Sequence, residues 1–333
     1  MKNNLNYKEK VAGCIVLYKN GGITSRKEID KVSRILKEKT GHIGTLDPNA
    51  SGVLPCLIGK ATKLSNYLIT HRKKYYVEFV LGYETDTLDL EGKVVFKDDN
   101  LNYTDEEIME SILKEKGPKK QIPPVFSAKK IDGKKLYDIA INDYDLALEL
   151  ATKRAKDITI YDIQDIVIKR EEGVSNIKIS LNLEVSGGTY VRAFVRDVAY
   201  NLGTYATVTK LERTSVANMT KEDAIVLEDD IRLEGLEKEN ENERTKEKKL
   251  ILDNIIPEEE LLKEVTENSI YITEDRIDKF LNGLDTNMET RYGKYYEDGI
   301  YIVYFKKEIV GLGIVKNNNL RRDYIVTKYD KWW

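Results

Sequence analysis

The segment from Gly41 to Leu54 combines one carboxylate with residues that can shape a backbone around it. Its letters are GHIGTLDPNASGVL, in which Asp47 is followed directly by Pro48. Glycines let a backbone approach a ligand closely, and a proline restricts the preceding residue to an extended conformation. A carboxylate held in this way could act as a nucleophile or as a general base. The same pair is also typical of an ordinary turn in which the aspartate only caps the backbone.

Metal and disulfide chemistry find little support among the side chains. Cys14 and Cys56 are the only cysteines, and His42 and His71 are the only histidines. Two cysteines cannot build a disulfide framework, and no spacing of Cys and His is typical of a zinc site. The sequence therefore predicts neither a metal site nor redox chemistry.

The composition is typical of a soluble globular chain. Of the 333 residues, 41% are hydrophobic and 33% are charged, and the mean hydropathy is -0.48. No apolar run approaches the roughly 18 residues of a membrane span. The apolar stretch from Val11 to Tyr18 lacks the cleavage site of a signal peptide. We therefore expect a cytoplasmic protein.

The net charge of -3 conceals an asymmetry along the chain. Residues 1–220 carry 35 basic and 30 acidic side chains, a net of +5, whereas residues 221–333 carry 19 and 27, a net of -8. The first 80 residues alone hold 15 basic against 6 acidic side chains. A second lysine-rich segment spans Lys114 to Lys135. Such segments can bind phosphate groups, but they are as often plain solvated faces.

Short apolar runs, turns and helical repeats together predict an α+β fold. Capping boxes at Ser25–Glu28 and Thr104–Glu107 indicate two helix starts, with Ser25 and Thr104 as the N-caps. Alternating or apolar runs predict strands at 13–17, 75–81, 94–96, 158–161, 163–169 and 177–185, and the repeat at 191–202 predicts a helix. Because the strands and helices do not alternate regularly, a largely antiparallel sheet is favoured.

The length and the composition predict two domains. The run EKENENERTKEKK at 237–249 has no apolar residue, so we expect a solvated helix or a flexible linker there. Short apolar runs near residues 270, 300, 309 and 323 indicate a small β-rich domain after it. We predict a first domain over residues 1–250, with a charged insert or linker at about 228–249, and a second domain over 251–333.

Five blocks, in order along the chain, resemble the TruB family of pseudouridine synthases. The stretch around Asp47, GHIGTLDPNASGVLPCLIGKATKL, matches the family's signature nearly residue for residue. The other blocks are AGCIVLYKNGGITS from residue 12, Lys74-Tyr75 with LGYETDT from residue 81, PPVFSAKK from residue 123 with GKKLY from residue 133, and GTYVR from residue 188. The resemblance covers about residues 11–220. The C-terminal segment resembles, more weakly, the PUA-like domain of bacterial members.

This resemblance implies a pseudouridine synthase fold with a mixed, mainly antiparallel sheet and a small C-terminal PUA-like domain. It implies conversion of one uridine in the T-loop of tRNA, at the position conventionally numbered 55, to pseudouridine. The base would be cut from C1′ at N1, turned within the pocket and rejoined through C5. No metal or other cofactor is required. The expected partner is the T-arm of tRNA, bound by a monomer that contacts no membrane.

The resemblance also implies the catalytic side chains. Asp47 would be the essential carboxylate, either as nucleophile on the sugar or as acceptor of a sugar proton. Arg192 would pair with Asp47 and hold it ionised and oriented. Tyr75 would stack on the uracil and move a proton at C5. Without the family, each of these could be an ordinary core or surface residue.

Four more residues match substrate-binding positions of the family. His42 would enter the space left by the flipped uridine. Tyr190 and Leu211 would line the pocket, and Lys63 would lie near the site. Phosphate contacts are expected from the basic residues of 1–80 and from a proline–lysine loop at 118–135, which would close over the RNA.

Several positions depart from the family's pattern. Asn20 stands where a proline is usual, and Lys156 replaces an arginine. Glu212 stands in place of the first arginine of an L-R-R run, and Thr207 where many members have histidine. These departures bear on RNA contacts, and none replaces a catalytic residue.

Two other functions remain open from the sequence. One is a non-catalytic protein that folds or binds tRNA on the same scaffold. The other is a guide-dependent synthase of the related archaeal and eukaryotic type, which acts on ribosomal RNA within a protein complex. Activity of the purified chain on a bare T-arm stem-loop separates both from the first interpretation.

Overall fold

Two sheets organise the computed structural model, which describes residues 10–126, 130–131, 134–170, 176–228, 240–288 and 295–329. The strands are β1 (Gly13–Lys19), β2 (Thr40–His42), β3 (Ser51–Ile58), β4 (Lys73–Leu81), β5 (Tyr83–Thr85), β6 (Val94–Lys97), β7 (Gly117–Gln121), β8 (Lys130–Ile131), β9 (Lys134–Lys135), β10 (Lys156–Arg170), β11 (Ile177–Val185), β12 (Ala206–Val216), β13 (Met219–Thr220), β14 (Ser269–Tyr271), β15 (Thr286–Asn287), β16 (Gly299–Phe305), β17 (Glu308–Lys316) and β18 (Asn319–Ile325). The helices are α1 (Ser25–Leu36), α2 (Ser65–Leu68), α3 (Asp105–Leu113), α4 (Leu136–Asn142), α5 (Tyr144–Lys153), α6 (Val191–Leu202), α7 (Asn240–Asp253), α8 (Glu258–Val265) and α9 (Glu274–Leu281). The α+β class is confirmed.

The larger sheet is mixed but mainly antiparallel, as expected. Its strand order is β1-β3-β12-β4-β11-β10-β7, with β2 beside β3 and β13 beside β12. Within it β3 and β12 run parallel, through Ser51 opposite Glu212 and Gly52 opposite Arg213, and the other pairs are antiparallel. This pairing sets the start of β3 next to the centre of the sheet.

The second sheet confirms the expected β-rich C-terminal part. Its order is β14-β16-β17-β18-β15. The backbones of Cys14 in β1 and Ile256 exchange two hydrogen bonds, of 2.9 and 2.7 Å. Buried side chains of both parts, among them Val16 and Leu261, belong to one hydrophobic cluster. The C-terminal sheet therefore shares a core with the edge of the large sheet.

The start of α1 differs from the expectation. Its N-cap is Thr24, whose hydroxyl oxygen accepts a hydrogen bond from the backbone N–H of Lys27 at 3.2 Å. Ser25 is the first helical residue, and its hydroxyl is bonded to the backbone of Leu46 instead. Both residues are good caps, and a tertiary partner decided between them. The capping box of Thr104 and Glu107 is confirmed.

The two strands expected at 158–161 and 163–169 form a single strand, β10. It runs from Lys156 to Arg170, and its pairing with β11 shifts between Ile160 and Asp162 and again between Gln164 and Val167. A β-bulge adds a residue and bends a strand without ending it. The polar Asp162 between the two expected strands therefore lies at an irregularity within β10 and not in a turn.

The division into two domains stays a prediction. The expected boundary between residues 250 and 251 falls inside α7, and residues 229–239 of the expected linker lie outside the described part of the chain. Ile251 belongs to the core of the large sheet, whereas Leu261 belongs to the shared cluster. Of the helices that the structure describes, none is long and apolar enough to cross a membrane.

A buried carboxylate ties α8 to the end of β18. Glu258 is 5% exposed. Its oxygens accept hydrogen bonds from the Tyr324 hydroxyl, from the Thr327 N–H at 2.8 Å and from the Thr327 hydroxyl at 3.0 Å. Loss of this carboxylate would leave three donors without their acceptor.

Glu258→Ala should therefore lower the free energy of unfolding by about 2–4 kcal/mol. Glu260→Ala, on the same helix, removes only an exposed ion pair with Lys263 and should cost less than about 1 kcal/mol. Urea titrations of both variants and the parent measure the difference. Equal losses would contradict the role assigned to Glu258.

Candidate active site

Asp47 lies in the connection between β2 and β3 and is held on both sides by hydrogen bonds. Before it, the Ser25 hydroxyl donates a hydrogen bond to the Leu46 carbonyl at 2.9 Å. The Ser25 hydroxyl oxygen also accepts a hydrogen bond from the Leu46 N–H at 2.8 Å. After it, the Pro48 carbonyl accepts from the Gly22 N–H at 2.9 Å. The Asp47 side chain is 37% exposed. The carboxylate is therefore presented to solvent from an anchored turn.

The fully buried Lys19 donates hydrogen bonds to the backbone of this turn and of the segment next to it. Lys19 Nζ donates to the carbonyls of Asn20, Ile23 and Pro48 at 2.9, 2.7 and 2.8 Å. Burial lowers the pKa of Lys19 to about 8, against the opposing effects of carboxylates that include Asp47. Lys19 thus uses its three donors on backbone oxygens around the turn that carries Asp47.

Arg192 meets Asp47 from the start of α6. Its Nε is 2.9 Å from Asp47 Oδ2, and its side chain is only 6% exposed. The two atoms form an ion pair by distance but not an aligned hydrogen bond among the described residues. Arg192 Nη1 donates to the Thr87 carbonyl at 2.6 Å, and Nη2 donates to the Phe126 carbonyl at 3.3 Å. The structure thus brings together the two side chains that the resemblance pairs.

Asp89 is a neighbour of Arg192 that the quoted motifs do not single out. Its Oδ2 is 3.5 Å from Arg192 Nη1. Its Oδ1 accepts from the Thr87 hydroxyl at 2.7 Å and from the Glu91 N–H at 3.0 Å. The guanidinium therefore lies between two carboxylates. In the sequence, the only feature that could have pointed to Asp89 is its position two residues after the LGYETDT block.

Glu91 adds a third carboxylate to this region. Burial, followed by the charges of Asp89 and Asp47, raises its pKa. Arg192 and Lys19 act in the opposite direction. Three carboxylates and two cations therefore influence one another around the turn that carries Asp47.

Tyr75 and Leu211 lie on one face of the paired strands β4 and β12. Tyr75 is opposite Arg213 and is 7% exposed, and Leu211 is opposite Val77. Tyr75 belongs to the core that also contains Leu46, and Leu211 packs against that core. The Tyr75 hydroxyl has no hydrogen bond to the described residues.

His42 and Tyr190 belong to two other elements. His42 ends β2, and its buried Nδ1 has no hydrogen-bond partner in the described part of the chain. Burial, then the charges of Arg213 and Arg26, lowers the pKa of His42, which favours a neutral ring at neutral pH. Tyr190 is the N-cap residue of α6, two positions before Arg192.

The role of Lys63 stays a prediction. Lys63 is exposed in the 3-10 helix Gly59–Leu64, which follows the end of β3, whereas Asp47 precedes the start of that strand.

Part of the expected proline–lysine loop is not described. Residues 127–129 and 132–133 lie outside the described residues, so the closure of this loop stays a prediction. In the described ranges, no three His, Cys, Asp or Glu side chains are grouped so that they could hold a metal ion.

Lys73 is a second buried lysine with an unusual pKa. It is 4% exposed, and its Nζ donates to the carbonyls of Ile69 and His71, both at 2.9 Å. Burial, followed by the charges of Arg213 and Lys156, lowers its pKa from 10.5 to about 8. Between these two values the unfolded chain binds more protons than the folded chain, so unfolding becomes less favourable as the pH rises.

Lys73→Met should remove this contribution to the pH dependence. From pH 7.5 to 9.5, the free energy of unfolding of the parent should rise relative to Lys73→Met by on the order of 1–3 kcal/mol. Lys74→Met, at the exposed next position, should keep the parent's slope. Urea titrations at three pH values test this, and parallel curves for Lys73→Met and the parent would contradict it.

Comparisons of the whole chain with known proteins identify its relatives. A family model described as TruB family pseudouridylate synthase (N terminal domain) matches residues 33–191. The protein named tRNA pseudouridine synthase B from Clostridium perfringens is 42% identical over 218 residues, which are 65% of this chain and 71% of that protein. The protein of the same name from Clostridium kluyveri is 35% identical over 307 residues, 92% of this chain and 96% of that protein.

Solved structures show the same fold at lower sequence identity. A chain in a structure titled "Crystal Structure of a Cbf5-Nop10-Gar1 Complex" matches with a TM-score of 0.64 and 23% identity, over 96% of this chain and 86% of that chain. A chain in "Structure of H/ACA RNP bound to a substrate RNA containing 2'-deoxyuridine" matches with a TM-score of 0.63 and 20% identity, over 96% and 88% of the two chains. The expected fold is confirmed, and the chain belongs to the TruB family of pseudouridylate synthases, which are isomerases.

Proposed function

We propose that this enzyme converts the uridine at position 55, in the T-loop of tRNA, to pseudouridine, with Asp47 as the essential carboxylate. One observation carries the proposal: Asp47 Oδ2 lies 2.9 Å from Arg192 Nε while the Asp47 side chain stays 37% exposed. The relatives that are 42% and 35% identical bear the name tRNA pseudouridine synthase B, which supports tRNA as the substrate. The cytoplasm as the location and a monomer as the active form belong to the same proposal.

The ion pair leaves part of Asp47 available to the substrate. Arg192 contacts Oδ2, and no described residue donates a hydrogen bond to Oδ1. Arg192 itself is held by the Thr87 carbonyl and by Asp89, so it cannot swing away without losing these contacts. A guanidinium fixed in this way orients the carboxylate and balances its charge. Oδ1 is then free to act on the sugar.

The reaction needs no group beyond those of the chain and the RNA. The N1–C1′ bond breaks, the uracil turns, and a C5–C1′ bond forms, while C5 loses a proton and N1 gains one. Asp47 either attacks C1′ as a nucleophile or accepts a proton from the sugar, and both roles suit a carboxylate with one open oxygen. The Tyr75 hydroxyl, which has no partner among the described residues, moves the proton at C5.

The substrate uridine must leave its stack to reach Asp47. Flipping a base costs about a few kcal/mol, which contacts with the rest of the RNA must offset. The neutral ring of His42 fills the vacated space without adding a charge. Tyr190 and Leu211 line the pocket. Lys63, exposed in the 3-10 helix that follows β3, binds the RNA near the site.

Asp47→Asn should abolish pseudouridine formation while RNA binding stays within about threefold, because the substitution removes the acid–base and nucleophilic chemistry and little contact area. A fall of at least about a thousandfold in single-turnover rate is expected, about 4 kcal/mol of the barrier. The assay uses a bare T-arm stem-loop with carbodiimide mapping of the product. Asp99→Asn, at an exposed position, is the matched control and should behave like the parent.

Each alternative function has its own outcome in this assay. Turnover by Asp47→Asn would show that the mechanism is wrong. A parent protein that binds the stem-loop without modifying it would indicate a non-catalytic RNA-binding protein. A parent that becomes active only with a guide RNA and partner proteins would indicate the guide-dependent type.

Asp89→Asn should slow the reaction less than Asp47→Asn does. It weakens the second carboxylate contact of Arg192, 3.5 Å from Nη1, but leaves the contact with Asp47 in place. A loss of roughly tenfold in single-turnover rate is expected, equal to about 1.4 kcal/mol. Asp86→Asn is the control, since Asp86 accepts from the Lys93 N–H in the same hairpin and does not contact Arg192. Equal rates for the two variants would rule out this role of Asp89.

A further inference from the structure

The helix that carries Arg192 begins without a cap of its own. Tyr190 occupies the N-cap position, and its side chain makes no capping hydrogen bond. Arg192 is the second residue of α6, so its backbone lies within this first turn. The first N–H groups of a helix have no partner inside the helix and are satisfied from outside. The exact position of Arg192 therefore depends on what holds the backbone at Tyr190.

Gln121 holds that backbone with both ends of its side-chain amide. Gln121 is the last residue of β7 and is 2% exposed. Its Nε2 donates to the Tyr190 carbonyl at 3.1 Å, and its Oε1 accepts from the Tyr190 N–H at 2.8 Å. Two hydrogen bonds to one residue fix both the distance and the direction of the backbone there. Gln121 therefore acts as a clamp from β7 on the start of α6.

The residues after Gln121 make further contacts with the same end of α6. Arg192 Nη2 donates to the Phe126 carbonyl at 3.3 Å, and Arg196 Nη2 donates to the Ile122 carbonyl at 3.1 Å. The two arginines are four residues apart and lie on one face of the helix. The segment 121–126 is thus joined to the first turns of α6 by three side chains, one of which is Arg192.

Two prolines stiffen this segment between its contacts. Pro123 and Pro124 have restricted φ angles and no N–H group. A displacement at Gln121 would therefore be transmitted along the segment more readily than in a glycine-rich one. The clamp and the contact of Arg192 with Phe126 act together on the guanidinium.

We propose that Gln121 is a positioning residue for the isomerisation: by clamping Tyr190 it sets the guanidinium of Arg192 against Asp47. This inference rests on the proposed function, in which Asp47 does the chemistry. Gln121 itself touches neither Asp47 nor the reacting base. Its removal should therefore slow the chemical step and leave RNA binding nearly unchanged.

A merely structural role for Gln121 makes a different prediction. Loss of a buried, satisfied amide lowers stability wherever the amide lies, but it does not change the rate of a folded, RNA-saturated enzyme. The single-turnover rate at saturating stem-loop, measured well below the melting temperature, separates the two roles. The dissociation constant for the stem-loop and the melting temperature are recorded alongside.

Gln121→Met keeps the length of the side chain and removes both hydrogen bonds. The single-turnover rate should fall by about 10- to 100-fold, with a dissociation constant within about threefold of the parent's. Gln121→Glu keeps the acceptor for the Tyr190 N–H and loses the donor, so its rate should lie between those of the parent and Gln121→Met. Asn201→Ala removes a matched amide on α6, where Asn201 Nδ2 donates to Glu115 at 2.8 Å, and should stay within about twofold of the parent.

A double-mutant cycle tests whether Gln121 acts through Arg192. In an Arg192→Lys background the guanidinium contacts are already lost, so Gln121→Met should slow the reaction further by less than about threefold. If Gln121→Met lowers the single-turnover rate of Arg192→Lys by the same factor as it lowers that of the parent, the proposal is overturned. If Gln121→Met does not fold, the same cycle with Gln121→Glu decides the question.

Different results would contradict the positioning role of Gln121 and the proposed function. If Asp47→Asn is inactive and Gln121→Met or Gln121→Glu turns over at the parent's rate, the positioning role is wrong and the proposed function stands. If Asp47→Asn remains active, the proposed function is wrong, and the positioning role falls with it.

Discussion

The contact between Asp47 and Arg192 is the interaction on which the rest of the site depends. A loop between two strands supplies the carboxylate, and the first turn of α6 supplies the guanidinium. Neither side chain could be held by its own element alone, because a loop is mobile and a helix terminus frays. Each is therefore fixed from outside, Asp47 through Ser25 and Lys19 and Arg192 through Thr87 and Asp89.

Buried cations bond to backbone carbonyls at the turn that carries Asp47 and at other places in the fold. Lys19 donates to three carbonyls, and Lys73 and Arg213 each donate to two. Burying a charge is costly unless hydrogen bonds compensate for it. The pKa values of both lysines fall to about 8, which shows the cost that remains. Irregular backbone around a reacting group can thus stay rigid without regular secondary structure.

Three of the four residues that depart from the family's pattern have side-chain partners within this chain. Glu212 accepts hydrogen bonds from the Tyr18 hydroxyl at 3.0 Å and pairs with Lys221 at 2.5 Å. Lys156 Nζ donates to the Gly187 carbonyl at 3.2 Å, and the Thr207 hydroxyl donates to the Tyr83 carbonyl at 2.9 Å. None of these contacts involves Asp47.

The sequence alone determined the family, the α+β class and most of the strands, because motif letters and apolar periodicity are local properties. Through the resemblance it also predicted the contact between Asp47 and Arg192. Tertiary structure decided the rest. Thr24 rather than Ser25 caps α1 because Leu46 is within reach of Ser25. Asp89 and Gln121 became visible only when folding brought distant segments against α6, since no spacing in a sequence records which segments will touch.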